Sequence, residues 1–265
     1  MENPRPHRPG KKIAGTNRAT VLVVSPHLDD AVLSIGAYLA DHAATSRYVE
    51  LHTLFAGDPA GELSPAARTF HRLCGLGADA VRHRRAEDIA AAEALGVVTH
   101  HHGFLDAIYR RNTDGGWLCE NERSVFAELP AEPELSTKLV ATITELCVRR
   151  RPPLVLTCAA IGGHVDHRLT HQAVVEATSR VGARLMLWED LPHAIRRPDN
   201  AIHGRPYPHY AAHVTWERKW SAIACYGSQA AMLWPDGRDW RAELTAHAVE
   251  RGGSYRPAEM LWEPR

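Results

Sequence analysis

The chain has no excess charge of either sign: 31 Lys and Arg stand against 31 Asp and Glu in 265 residues. That balance excludes a nucleic-acid binder working by phosphate neutralisation. There is no C-x-x-C pair either. Five scattered cysteines, Cys74, Cys119, Cys147, Cys158 and Cys225, fit buried free thiols in a reducing compartment better than a disulfide framework. No stretch reaches membrane-spanning length, and no internal repeat or low-complexity block is visible. The opening MENPRPHRPGKKIAGTNR has no apolar run behind it, so it reads as a disordered basic tail over 1–18 rather than a signal peptide. These absences predict a cytoplasmic protein without a membrane span or a nucleic-acid partner, with a single domain over 19–265. The oligomeric state stays open, a homo-oligomer included.

What is present in quantity is histidine, 17 residues, which raises the expectation of a metal. Strand-like and helix-like segments alternate. Strands are predicted over 21–24, 48–56, 97–103, 154–158 and 183–188, and helices over 30–42, 66–73, 87–95, 135–150 and 165–179. Alternation of this kind predicts an α/β fold, Rossmann-like, with a mostly parallel sheet flanked by helices. From about 191 to 265 the chain is rich in Pro, His, Trp and Tyr. One helix is predicted there over 216–226, within an irregular C-terminal extension packed on the sheet or serving as a lid.

Two polar clusters fall on strand-to-helix junctions, where an open parallel sheet binds its ligands. The first is SPHLDD, residues 25–30. It has no glycine to admit a pyrophosphate, so it is no dinucleotide fingerprint. One aspartate at a helix start also serves as an N-cap, but capping explains neither the second carboxylate nor His27. The second cluster is GGHVDHRLTHQAV, residues 162–174, with His164 and His167 three apart. His171 lies on the same helical face as His167, so ligand count alone is ambiguous.

Brought to one sheet edge, His27, Asp30 and His167 offer two nitrogens and an oxygen, the three-ligand pattern of catalytic zinc. Asp29 is then placed to take a proton from water. His164 would stabilise an oxyanion or protonate a leaving amine, held in its charged form by Asp166. Asp166 is also suited to orienting an imidazole behind the ligands.

These two segments resemble the P-H-x-D-D and H-x-D-H signatures of the PIG-L/LmbE-type zinc-dependent de-N-acetylases. Weaker echoes are RRAEDIAAAEALGV, FLDAIYR, WEDLP and KWSAIACYGSQ. The resemblance implies one zinc ion per chain on His27, Asp30 and His167, with Asp29 as general base and His164 as the acid or oxyanion-stabilising residue. It implies Arg84 as a substrate contact, Arg85 being equally reachable, and Asp106 as a partner of sugar hydroxyls. Leu28 and Ala31 replace the Pro and Glu of the common bacterial motif and point toward antibiotic-tailoring members. The expected activity is removal of an N-acetyl or N-acyl group from a small-molecule amino-sugar substrate. The alternatives are a non-catalytic metal-containing sugar binder and a hydrolase of non-sugar amides.

Other features receive plainer readings. Neighbours in the run His100-His101-His102 face opposite sides of a strand, so all three cannot reach one ion. Ser25 and Ser228 lack a G-x-S-x-G setting. Trp216, Trp220, Trp234 and Trp240 are read as core rather than as a sugar-stacking wall.

Overall fold

A computed structural model of the chain describes residues 20–45, 48–121, 123–196, 202–254 and 256–265. The expected tail over 1–18 lies outside them. Five parallel strands form the body of the sheet: β1 (Thr20–Ser25), β2 (Tyr48–Thr53), β3 (Val98–His101), β4 (Leu154–Cys158) and β5 (Leu185–Trp188). Two antiparallel strands, β6 (Gly204–Tyr210) and β7 (Ala258–Pro264), extend it, giving the order β3-β2-β1-β4-β5-β7-β6. The central strand β1 is an unbroken apolar run because helices cover both of its faces.

On one face Leu22 and Val24 pack with Leu139, Ile143 and Leu146 of α4 (Pro133–Arg150) and with Ala173, Val174 and Ala177 of α5 (Val165–Val181). On the other, Val21 and Val23 join the core of α1 (Asp30–Ala44), α3 (Ala80–Leu95), α7 (His213–Ile223) and α9 (Trp240–Gly252). The remaining helices are α2 (Pro65–Leu73), the single turn α6 (His193–Arg196) and α8 (Gly227–Leu233).

The predicted alternation is present, with boundary differences. The helix read over 87–95 begins at Ala80, because the polar residues of its first turns are held by tertiary partners, Arg84 by Leu28 O and Arg85 by Ala56 O. The C-terminal segment, read from sequence as an irregular extension, joins the sheet and is more regular than its composition suggests. Its described residues supply β6, β7 and the helices α6 to α9, and the prolines of β6, Pro206 and Pro208, sit on the edge strand, where a missing N–H is tolerated. Trp216 and Trp220 stack at 5.3 Å in the core, and both are buried.

The topology also fixes where a ligand can bind. Strand order reverses between β1 and β4, so the loops leaving their carboxyl ends diverge and open a crevice. Those are the two loops that carry the polar clusters.

Candidate metal centre and active site

Neither carboxylate of the first loop caps α1. Asp29 occupies the N-cap position but its side chain makes no capping hydrogen bond. Asp30 Oδ2 instead accepts the backbone N–H of His27 at 2.9 Å. The Asp29 backbone lies at φ 138°, ψ −36°, outside the regions open to a residue with a Cβ, at a cost on the order of 1–3 kcal/mol. The fold thus retains a strained turn that delivers Asp29 and Asp30 to the crevice together.

Asp30 Oδ2 is the meeting point of the two clusters. It lies 3.3 Å from His27 Nδ1 and 3.3 Å from His167 Nε2. Each imidazole has a carboxylate on its far nitrogen. His27 Nε2 donates to Asp166 Oδ2 at 3.1 Å, and His167 Nδ1 to Asp190 Oδ1 at 2.6 Å. An ionised carboxylate only accepts, so these bonds fix the tautomers and leave bare lone pairs on His27 Nδ1 and His167 Nε2. Two lone pairs and a carboxylate oxygen facing one another repel unless a cation or extra protons lie between them. Four ligands bound tetrahedrally at about 2.0–2.1 Å stand about 3.3 Å apart, which matches the separation of each imidazole nitrogen from Asp30 Oδ2. His164 also offers a nitrogen within 4.8 Å of nitrogens on His27 and His167.

The surrounding charge argues the same way. Asp29, Asp30, Asp106, Asp166 and Asp190 are all buried, against the buried guanidinium groups of Arg84 and Arg110. Burial opposes charge on His167, yet Asp30 and Asp190 carry it up to about 10, and His27 likewise rises well above the usual range. Burial and the neighbouring Asp30 push Asp29 up to about 8, with Arg84 pulling the other way. A site that holds protons this strongly is one a metal cation fits.

His164 departs from expectation. Its Nδ1 accepts the N–H of Asp166 at 3.1 Å, so its side chain is the N-cap of α5. Burial and the adjacent His27 hold its imidazole well below the usual range. The carboxylate of Asp166 favours a charged His164, as anticipated, but burial and His27 outweigh it. That carboxylate is spent on His27, on the N–H of Ala107 at 2.9 Å and on Arg110 at 2.7 Å. His164 is therefore neutral, with Nε2–H as its remaining donor. The glycines before it are required: Gly162 has φ +87°, and a Cβ there would meet the His193 ring at 2.9 Å.

The other expected residues are also at this pocket, which encloses about 300 Å³ and is lined by Arg84 and Asp106 as well as the groups above. Arg84 Nη2 donates to Leu28 O at 3.2 Å and lies 3.8 Å from Asp29 Oδ1, while its Nε is buried with no partner. Arg85 is occupied elsewhere, donating through Nε to Ala56 O at 2.8 Å. Asp106 caps a short turn through Ile108 N and lies 3.4 Å from His27 Nε2. His171 is not part of the site; its Nδ1 meets Cys158 O at 2.8 Å. Ser25 and Ser228 donate to His27 O and Glu87, and the four tryptophans lie outside the pocket lining.

Three participants were not singled out from sequence. Asp190 lies two residues past the end of β5, at the same carboxyl edge of the sheet as the two signatures. Arg110 pairs with Asp166 and with Glu132, buttressing the support of His27. His193, from α6, packs 5.5 Å from the His167 ring and is pushed down to about 4 by burial and the His167 charge. The pocket is also lined by apolar side chains, among them Phe70, Phe126, Leu191, Met232 and Leu233. Among the described residues no helix is long and apolar enough to cross a membrane.

Comparison with known proteins adds to this geometry. The chain is 34% identical over 182 residues to the 2'-N-acetylparomamine deacetylase of Streptomyces fradiae, covering 68% of this chain and 60% of that protein, so the match falls short of the relative's full length. It is 28% identical over 265 residues to 1D-myo-inositol 2-acetamido-2-deoxy-alpha-D-glucopyranoside deacetylase 1 of Saccharopolyspora erythraea, covering 88% of this chain and 84% of the relative. Among solved structures, a deacetylase of the teicoplanin biosynthesis pathway superposes with a TM-score of 0.82 at 36% identity, over 92% of this chain and 96% of its own. The zinc inhibited form of the teicoplanin deacetylase Orf2 gives 0.82 at 35% identity, over 92% and 97%. The family described as PIG-L: GlcNAc-PI de-N-acetylase matches residues 22–178, more than half of the 265 residues, and the chain belongs to that family.

Proposed function

We propose that the protein is a zinc-dependent amide hydrolase that removes an N-acetyl or N-acyl group from an amino sugar, the substrate being a small molecule or glycosylated natural product. The observation that carries this reading is the convergence of His27 Nδ1 and His167 Nε2 on Asp30 Oδ2 at 3.3 Å each, beside a carboxylate, Asp29, that performs no capping. His27, Asp30 and His167 would hold one zinc ion per chain. When bound, the ion supplies Lewis acidity and an acidified water.

The chain's own groups do the rest. Asp29 accepts a proton from the attacking water and passes it to the amine nitrogen as the C–N bond breaks, so that amide and water become carboxylate and amine. His164 donates from Nε2 to the carbonyl oxygen as negative charge develops there. Asp166 and Asp190 hold the two imidazoles in register, and Arg110 anchors Asp166. Arg84, with a buried unpartnered Nε, and Asp106 bind sugar hydroxyls. The apolar lining of Phe70, Phe126 and Leu233 suits an acyl chain or a hydrophobic aglycone. The teicoplanin-pathway relatives support a glycosylated antibiotic intermediate as the natural substrate. A pure sugar binder would have no use for a strained, uncapped Asp29.

The test is to incubate metal-loaded protein with N-acetyl and longer N-acyl glucosaminides, alongside simple non-sugar amides, and assay free amine. Release from the glucosaminides and its loss on chelation are expected. Release from the simple amides alone would move the substrate class, and no release from any would return the protein to the binding class.

A further inference from the structure

A second cluster of imidazoles lies on the sheet face that packs against α4, at the β3 edge. Parallel pairing of β2 and β3 sets His52 directly across from His100. The period of two along a strand then places Glu50, His52 and His100 on one face. His101 points the other way, to Asp88 Oδ2 at 2.7 Å. His102, just past β3 and held by its N–H to Thr53 O at 2.8 Å, returns to the first face, where its Nε2 is 3.1 Å from His52 Nδ1. The His52 and His100 rings lie 4.5 Å apart.

Glu50, His52 and His100 each offer a ligand atom, all within 4.8 Å of one another. His52 Nε2 and His100 Nε2 are buried and have no hydrogen-bond partner. His52 is 3% exposed, so its orphaned nitrogen has no water to turn to. With the proton on Nδ1, His52 donates to His102 and presents Nε2 as a bare lone pair. That is the arrangement by which a ligating histidine is oriented from behind. Burial, helped by the neighbouring imidazoles and the guanidinium groups of Arg150 and Arg149, holds His52 down to about 3, so the ring is neutral and available as a ligand. The opposing charges are those two arginines of α4, of which Arg150 is neutralised by Glu50 Oε2 at 2.8 Å.

We propose that Glu50, His52 and His100 form a second binding site for a divalent transition-metal ion of the zinc or nickel class, with His102 orienting His52. Imidazole nitrogens with one carboxylate suit such ions and not magnesium or calcium. The site is distinct from the crevice: the rings of Phe55 and Phe104 stand in series between His27 and His102, each step being 6.0–6.4 Å. Entry is from the β3 edge, where His100 and His102 are half-buried.

The experiment compares wild type with His100→Asn, a change on the half-buried edge strand, after chelator stripping and dialysis against buffered free Zn²⁺. Elemental analysis should find one equivalent fewer in the variant, whatever the crevice holds, with an unchanged circular dichroism spectrum and unchanged amide hydrolysis. Repeating the titration with Co²⁺ should show a ligand-field band lost in His100→Asn and kept in His167→Ala. His102→Phe should weaken that equivalent by about 10–100-fold. Equal metal content in wild type and His100→Asn would overturn the proposal.

Discussion

Asp190 touches no space that a substrate can enter, yet it decides which nitrogen of His167 faces the crevice. Its Oδ1 takes His167 Nδ1 and its Oδ2 takes the N–H of Ile161, so the carboxylate is clamped from two sides. Asp190→Asn keeps the shape but presents an amide that can orient either way. Metal affinity at the crevice should fall about 10–100-fold, measured by competition with a chromogenic chelator. Asp29→Asn is the contrasting case. It should retain metal and bind substrate while turnover falls by about 10²–10⁴-fold, the range for a positioned base. Undiminished turnover would give the proton transfer to another group. His164 requires a variant that separates two jobs, because it caps α5 and also faces the pocket. His164→Asn preserves a side-chain acceptor for the cap, so thermal stability should stay near wild type while kcat drops by about 10²–10³-fold, as for loss of an oxyanion donor. A drop in melting temperature without loss of kcat would reduce His164 to a cap.

At the scale of elements, α1 is interrupted at Ile35, whose φ of −129° is not helical. The N–H groups freed beyond the break, at Ala37 and Tyr38, are taken by Glu259 of β7 at 2.9 and 2.7 Å. Lys219 of α7 neutralises that carboxylate at 2.7 Å, with both side chains buried. Strand β7 is therefore stitched through a buried ion pair to the helix that begins at Asp30. Glu259→Ala strands a buried ammonium and two N–H groups, and should destabilise by about 3–5 kcal/mol. Adding Lys219→Met should recover part of that loss in a denaturant-based double-mutant cycle. A double variant as unstable as the sum of the singles would show the pair to be uncoupled.

At the scale of the whole molecule, five buried carboxylates meet at one sheet edge against two guanidinium groups. Folding without a cation must confine that repulsion, so metal binding and stability are linked. In a His100→Asn background, free Zn²⁺ at about 100 times its Kd should stabilise the protein by about 2.7 kcal/mol, with a melting temperature that rises with free metal. Scanning calorimetry with and without chelator reads this directly. A melting temperature indifferent to chelator would mean that the crevice is preformed by protons alone.

Much of this molecule is local and could be read directly from the chain. The apolar run before SPHLDD, the periodic helix after it and the repeat of that plan at GGHVDH define two strand-to-helix loops. A parallel sheet sends such loops to one edge, so His27, Asp29, Asp30, His164 and His167 follow from spacing and chemistry. The longer reach of α3, the strands β6 and β7 and the capping role of His164 were not legible, because each depends on what packs alongside. Asp190 and Arg110 were hidden for the same reason. Asp166 reaches His27 across 139 positions of sequence, and nothing in either segment names the other as its partner. The histidine run shows the division most clearly. Along one strand, alternation forbids His100, His101 and His102 from converging. Register with β2 then brings His52 and Glu50 beside His100. Side-chain period is a property of the backbone and is carried by the sequence; register is chosen by the burial of a whole sheet face, and only the folded chain decides it.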